Sequence, residues 1–250
     1  MELITFDYLF FIYLGIFFLG GLVKGTIGVG LPTVTLTLLS FFFDIKDSIS
    51  FILIPVILTN LVQMLDGKEL KSIFQQTKFF LVTSVVFVIP GFLVLRAINS
   101  NTILLILASL LVLNSCLVLF NKIITIKKHT SFQTQFWIGA LTGITTGVTS
   151  IYTMPFIFLI QSLKFNKDKL IQLMGLSFFL YSLTQFALFY SFSMINEKVL
   201  LFSSVACIPI LIGVISGKYL RKVLSEQTFK QLFNYMLLIS GIIIIIKSNI

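Results

Sequence analysis

Long apolar stretches, separated by short polar connections, fill most of this sequence. Three of them, at 79–95, 102–120 and 170–190, approach or exceed the roughly 18 to 20 apolar residues that cross the hydrocarbon core of a bilayer. They lack the alternation of apolar and polar residues that a membrane barrel strand requires, and glycine and proline interrupt them. The pattern therefore predicts an all-α integral membrane protein.

The same pattern predicts ten helical segments, five in each half of the chain. They are expected at 8–24, 31–43, 48–65, 79–95 and 102–120, then at 136–148, 152–163, 170–190, 199–216 and 229–246. Because Glu2 and Asp7 are the only charges before the first apolar run, that run is predicted to be a membrane helix and not a cleaved signal.

Composition supports a membrane protein. The residues are 57% hydrophobic and 11% charged, with a mean hydropathy of +1.06, which is more apolar surface than a soluble domain of 250 residues can bury. The formal net charge of +9 comes mainly from Lys and Arg in the connections. This distribution predicts contact with anionic lipid headgroups and not with nucleic acid.

An internal duplication is indicated by three sequence features that occur in the same order in both halves of the chain. Residues 20–32 (GGLVKGTIGVGLP) and 139–155 (GALTGITTGVTSIYTMP) are both glycine-punctuated interruptions that end in proline, which is typical of a broken helix. The motif NLVQ ends 31 positions after the first proline and SLTQ ends 30 after the second, and a later Pro and Gly recur in each half. The chain is thus predicted to hold two repeats, 1–126 and 127–250, in one membrane domain.

The distribution of basic residues predicts the orientation of these repeats. If each broken segment enters and returns as a hairpin, 13 Lys and Arg lie on one side and four on the other, namely Lys46, Arg96, Lys198 and Lys247. If each segment crosses the membrane instead, the Lys and Arg residues of the loops divide about 9 to 8 between the two sides, and this near-equal division specifies no orientation. The positive-inside rule favours the hairpins, with both termini outside. Each half then holds a broken or re-entrant hairpin and three transmembrane helices, and the two halves are inverted.

Apart from Lys230, which is the second residue of the last predicted segment, Lys24 is the one charged residue inside a predicted membrane segment. A central Lys costs about 2.5 to 3.5 kcal/mol or more in a bilayer and usually faces a cavity or a partner. With the backbone N–H groups of a broken helix nearby, its ammonium would suit a small anion. The alternative is a Lys that extends its side chain to the membrane surface.

Other candidate substrate-binding residues are small or polar side chains in the broken segments and in the repeated motifs. They are Gly25, Thr26, Gly28, Gly30, Asn60, Gln63, Thr146, Thr149, Ser150 and Gln185. The glycines favour close approach of a ligand or, equally, of another helix. The amides and hydroxyls suit ligand contact, bridges between helices, or bonds to a carbonyl four residues earlier. Asn114 has no evident counterpart in the second half, and His129 lies in a basic loop.

No enzyme or cofactor signature is present. The sequence has no His or Cys cluster for a metal and no acidic residue within a predicted span. The run 25–30 follows no strand, so it does not indicate a nucleotide-binding loop. We therefore expect a protein that is not an enzyme and that carries no cofactor.

The motif GGLVKGTIGVGLP, the NLVQ helix after it and the second glycine-rich, proline-terminated copy resemble the TauE/SafE family of sulfite and organosulfonate exporters, over nearly the whole chain. The resemblance implies a permease of a bacterial or archaeal cytoplasmic membrane for sulfite, sulfonates, thiosulfate or related small anions. The second copy departs from the family pattern at 149–153, where many members are glycine-rich. Secondary transport is the leading hypothesis, because no nucleotide-binding domain is apparent. A channel-like facilitator and a membrane assembly or maturation factor are the alternatives, and the oligomeric state stays open.

Overall fold

The computed structural model describes residues 8–120, 125–126, 130–223 and 226–248, and this part of the chain is helical without any strand. Its helices in the first half are α1 (Tyr8–Ile27), α2 (Leu31–Leu39), α3 (Ile45–Leu65), α4 (Leu70–Ala97) and α5 (Ser100–Leu119). Those in the second half are α6 (Phe132–Thr149), α7 (Phe156–Ser162), α8 (Lys167–Ser191), α9 (Glu197–Val205), α10 (Cys207–Val223) and α11 (Glu226–Ser248). Six helical stretches of the described residues are long and apolar enough to span a membrane, which confirms the predicted fold class.

The predicted segments all coincide with helices, although most of their bounds differ from the helix ends by a few residues. Helix α4 begins nine residues before the predicted 79 and is 28 residues long, or about 42 Å at 1.5 Å per residue. The segment 31–43 is helical only to Leu39, and 199–216 divides at Ala206 into α9 and α10. Glu2, Asp7, His129 and the predicted boundary between the repeats lie outside the described residues.

The first broken segment is a hairpin with limbs of unequal length. Helix α1 has 20 residues and α2 has nine. Between them Gly28 and Gly30 have φ values of +92° and +99°, which only glycine adopts readily. The chain then turns back, because the ring centroid of Phe43, just after α2, lies 6.3 Å from that of Tyr13 in α1. The predicted return of this segment is thus seen in its first copy.

The second broken segment, α6 and α7, has the same form. Helix α6 ends before Ser150, whose φ is +56°. The hydroxyl of Thr145 donates a 2.7 Å hydrogen bond to the Met154 carbonyl across the break. At the far end of α7, the backbone N–H of Ile126 donates to Ser162 Oγ at 2.8 Å. The short limb therefore returns toward the start of α6.

Glycines join the two halves through close helix contacts. A Cβ at Gly21 in α1 would lie 2.3 Å from the Ile210 carbonyl oxygen of α10, and one at Gly25 would lie 2.2 Å from that of Val214. Gly25, four residues after Gly21, meets Val214, which is four residues after Ile210, so α1 and α10 run parallel. Such contacts require glycine because any side chain would hold the backbones apart.

Helices α4 and α6 pack in the same way. A Cβ at Gly143 would lie 2.3 Å from the Ser84 carbonyl oxygen, and one at Gly147 would lie 2.4 Å from that of Val88. Helix α3 packs on α8, and α5 packs on α11. Each half thus packs its helices against helices of the other half. The inverted orientation of the halves stays a prediction, and these pairings agree with it.

Candidate functional site

Lys24 lies in the last turn of α1 and is 8% exposed. Its ammonium donates a hydrogen bond to Asn60 Oδ1 on α3, and that amide is fully buried. Within the described part of the chain, no acidic side chain lies within ion-pair distance of Lys24. The ammonium is therefore directed into the helical bundle and not to a membrane surface.

Pro55 interrupts the backbone hydrogen bonding of α3 shortly before Asn60. Pro55 has no N–H, so the carbonyl of Phe51 lacks its helical donor, and Ser203 Oγ of α9 donates to it at 2.8 Å. The Thr59 hydroxyl donates to the Pro55 carbonyl at 2.8 Å. The Asn60 amide nitrogen donates to the Val56 carbonyl at 2.9 Å, which fixes the amide with its oxygen toward Lys24.

A cavity of about 490 Å³ lies beside this pair. Lys24, Gly28, Thr59 and Gln63 are among the residues that line it. Its lining also includes Asp66, just after α3, and Lys218 of α10, and both of these side chains are exposed. The cavity therefore extends toward the side that the charge pattern predicts to be cytoplasmic. A small solute would meet one buried ammonium, a hydroxyl and an amide there.

The glycines of the first break have different surroundings. Gly25 packs against the backbone of α10, as the helix-packing alternative predicts, and it also lines the Lys24 cavity. A Cβ at Gly28 would meet no atom within 4 Å, so this residue faces open space in the Lys24 cavity. Gly30 lines a second cavity, so the start of α2 is directed away from Lys24. The combination of Lys24 with the amino-terminal end of α2 around one anion stays a prediction.

The second cavity, of about 500 Å³, brings the two broken segments together. Its lining includes Gly30 and Thr33 from the first break and Thr153 from the second. Asn114 of α5 and the buried Asn234 of α11 also line it. The side chains of Asn114 and Asn234 therefore line one cavity, although they are not related by the repeat spacing of 122 residues.

The candidates of the second half form a hydrogen-bonded cluster that lines neither cavity. Gln185 donates to the Thr146 carbonyl at 2.9 Å and to Ser150 Oγ at 2.8 Å, and accepts from the Tyr152 hydroxyl at 2.9 Å. Thr149 donates to the carbonyl four residues earlier at 2.7 Å. These contacts fit the structural alternative, because they tie the second hairpin to α8.

Gln63 and Thr26 also connect helices. Gln63 donates to the Ile171 carbonyl of α8 at 2.9 Å while it lines the Lys24 cavity. The Thr26 hydroxyl donates to the Leu22 carbonyl at 2.8 Å and lies 3.2 Å from the Gly217 carbonyl of α10. The sequence signal missed Thr59, Asp66 and Lys218, since only the packing of α3 on α10 brings them to one cavity.

These features define a multi-pass membrane protein with largely apolar cavities inside its helical bundle, each of which contains a few polar side chains. A family model described as sulfite exporter TauE/SafE matches residues 13–244, and the chain belongs to this family. The resemblance found in the sequence is thus confirmed, and the family is one of membrane transporters. Searches of curated proteins and of solved structures each gave no match to the chain.

Proposed function

We propose that this protein is a secondary permease for a small sulfur-containing anion, such as sulfite, a sulfonate or thiosulfate, in the cytoplasmic membrane of a prokaryote. The observation that carries the proposal is the ammonium of Lys24, which is buried beside a cavity of about 490 Å³ without an acidic partner in the described part of the chain. The sulfur chemistry is supported by membership of the sulfite exporter family.

The energetic argument concerns an unneutralised charge inside a membrane protein. Burying such a charge costs several kcal/mol, and the cost falls when an opposite charge shares the site. The Asn60 oxygen accepts one of the three ammonium N–H groups, so two are left for a ligand. A bound anion would complete the hydrogen bonding of Lys24 and would recover part of the solvation that it loses on leaving water.

The space and the ammonium beside it fit an oxyanion. Gly28 leaves open space in the cavity where a side chain would stand. Sulfite and sulfonate oxygens are hydrogen-bond acceptors, so the two N–H groups of Lys24 that Asn60 does not use are complementary to them.

Anion flux in proteoliposomes tests the proposal. The protein is reconstituted, and uptake and counterflow of radiolabelled sulfite, thiosulfate and methanesulfonate are measured for the native chain and for Lys24→Met. Methionine keeps much of the side-chain volume but removes the charge. We expect flux to fall at least about tenfold, because a hydrogen bond to a charged group contributes ~1.5 to 3 kcal/mol.

Two further variants make the result specific. Lys24→Arg keeps the charge and should retain part of the flux, although a planar guanidinium differs in shape from an ammonium. Lys198→Met removes an exposed Lys at the start of α9 and should transport like the native protein. Unchanged flux in Lys24→Met, normalised to inserted protein, would exclude Lys24 from the site. Counterflow separates a permease from a channel-like facilitator, which does not exchange solutes in this way.

A further inference from the structure

The Lys24 cavity contains a single buried charge. Lys24 is the one charged side chain that is buried among the described side chains. The other two ionisable groups that line the cavity, Asp66 and Lys218, are exposed and have opposite charges. Water screens both of them, and their charges offset each other. The deep part of the cavity therefore carries one positive charge.

Asn60 binds the ammonium of Lys24 without neutralising its positive charge. Its amide oxygen accepts a hydrogen bond from Lys24 without adding negative charge, and the bond to the Val56 carbonyl orients the amide. An aspartate has nearly the same shape and would also accept from the ammonium, but it would neutralise it. The residue type at position 60 thus decides whether a bound anion finds a net positive site or a neutral one.

We propose that the cavity selects anions with a single negative charge, and that Asn60 is the residue that sets this preference. This inference rests on the proposed function, since it concerns the charge of the anion at the same site, and among the anions named there it favours a sulfonate or hydrogen sulfite over the dianion thiosulfate. A monovalent anion would be matched by Lys24, whereas the second charge of a divalent anion would be buried without a cation. Asn60 acts through the charge of Lys24 and is in this sense a positioning and selectivity residue.

A matched pair of probes tests the preference. The compounds 2-hydroxyethanesulfonate and sulfoacetate have similar size and the same sulfonate group, but sulfoacetate carries a second negative charge at neutral pH. In proteoliposomes clamped at zero membrane potential, we expect the native protein to take up the monovalent compound at least about tenfold faster. Equal uptake of both, or faster uptake of sulfoacetate, would overturn the inference.

The variant Asn60→Asp tests the role of the amide. We expect it to lose at least about tenfold in uptake of 2-hydroxyethanesulfonate, while its thermal unfolding temperature in detergent stays equal to or rises above that of the native protein. A purely structural role of Asn60 would lower the unfolding temperature together with uptake, and that result would contradict us. Asn99→Asp, the same change at the exposed cap of α5, should leave both measurements unchanged.

The outcomes separate this inference from the proposed function. If Lys24→Met abolishes uptake but Asn60→Asp transports like the native protein, the site stands and the role of Asn60 is wrong. If Lys24→Met also transports normally, the proposed site itself is wrong. If the native protein transports sulfite or methanesulfonate but takes up neither probe, the inference is overturned while the proposed function stands.

Discussion

A single methyl group at Gly21 tests how α1 and α10 hold the two halves together. In Gly21→Ala the new Cβ would lie 2.3 Å from the Ile210 carbonyl oxygen and 3.0 Å from its carbonyl carbon and Cα. Ordinary contacts to a Cβ begin at 3.4 Å, so the helices must separate by about 1 Å at this point. The backbone of α10 cannot rotate away as a side chain does.

The free-energy cost of the clash in Gly21→Ala follows from a comparison with Gly15→Ala on the same helix. A Cβ at Gly15 would meet no atom within 4 Å. Both variants gain the same helix propensity of about 0.5 to 1 kcal/mol, so their difference isolates the clash. Overpacking of this kind costs about 1 to 3 kcal/mol. At about 2 to 4 °C per kcal/mol for a chain of this size, Gly21→Ala should unfold roughly 2 to 12 °C below Gly15→Ala.

Thermal unfolding of the purified variants in one detergent, followed by circular dichroism, measures this difference. The native protein and Gly15→Ala should unfold at similar temperatures, with Gly15→Ala equal or slightly higher. Equal unfolding temperatures for Gly15→Ala and Gly21→Ala would refute the reasoning. They would mean that α1 and α10 are not in backbone contact at Gly21.

Two other predictions concern the second hairpin and the orientation. Gln185→Leu should destabilise the fold by about 2 to 4 kcal/mol, because the buried hydroxyls of Tyr152 and Ser150 lose their partner, and urea or thermal unfolding will measure it. In a background without the two native cysteines, a Cys at Lys46 should react with an impermeant maleimide from outside, whereas a Cys at Lys167 should react only from the cytoplasm. Labelling of both from one side would contradict the hairpin orientation.

The helices could be predicted well because their signal is local. A stretch that must satisfy its own backbone in lipid is apolar along its whole length, and hydropathy detects that directly. The polar start of α4 was missed for the same reason, since Lys71 and its neighbours are helical but not apolar. The division at Ala206 was missed because the residues on both sides are apolar.

The site was predictable only in part. Lys24 is conspicuous because a charge within an apolar run is rare, and its location beside a cavity agrees with the expectation. Its pairing with Asn60, 36 residues away, depends on how α1 packs against α3 and is not encoded in either motif alone. Asp66 and Lys218 meet at the cavity only after α3 and α10 are placed around α1.

The repeated motifs predicted equivalent positions but not equivalent roles. Gln63 and Gln185 are 122 residues apart, and so are Gly28 and Ser150, each of which has a positive φ at the end of its long hairpin limb. Gln185 donates a hydrogen bond to Ser150, in the hairpin of its own half, and so ties that hairpin to α8. Gln63 bonds instead to α8 of the other half.

Because Gln63 does not bond to the first hairpin, the end of that hairpin faces the Lys24 cavity. Position 146, which is 122 residues after Lys24, is a threonine, and its carbonyl accepts from Gln185. In the first half the hairpin end is held by the ammonium of Lys24 and the oxygen of Asn60, beside a cavity. A neutral, saturated cluster offers no driving force for binding an anion, whereas an ammonium with one neutral acceptor does. At the spacing of 122 residues the second half has Thr146 in place of Lys24 and Ser182 in place of Asn60, and these differences give the first half its candidate binding site.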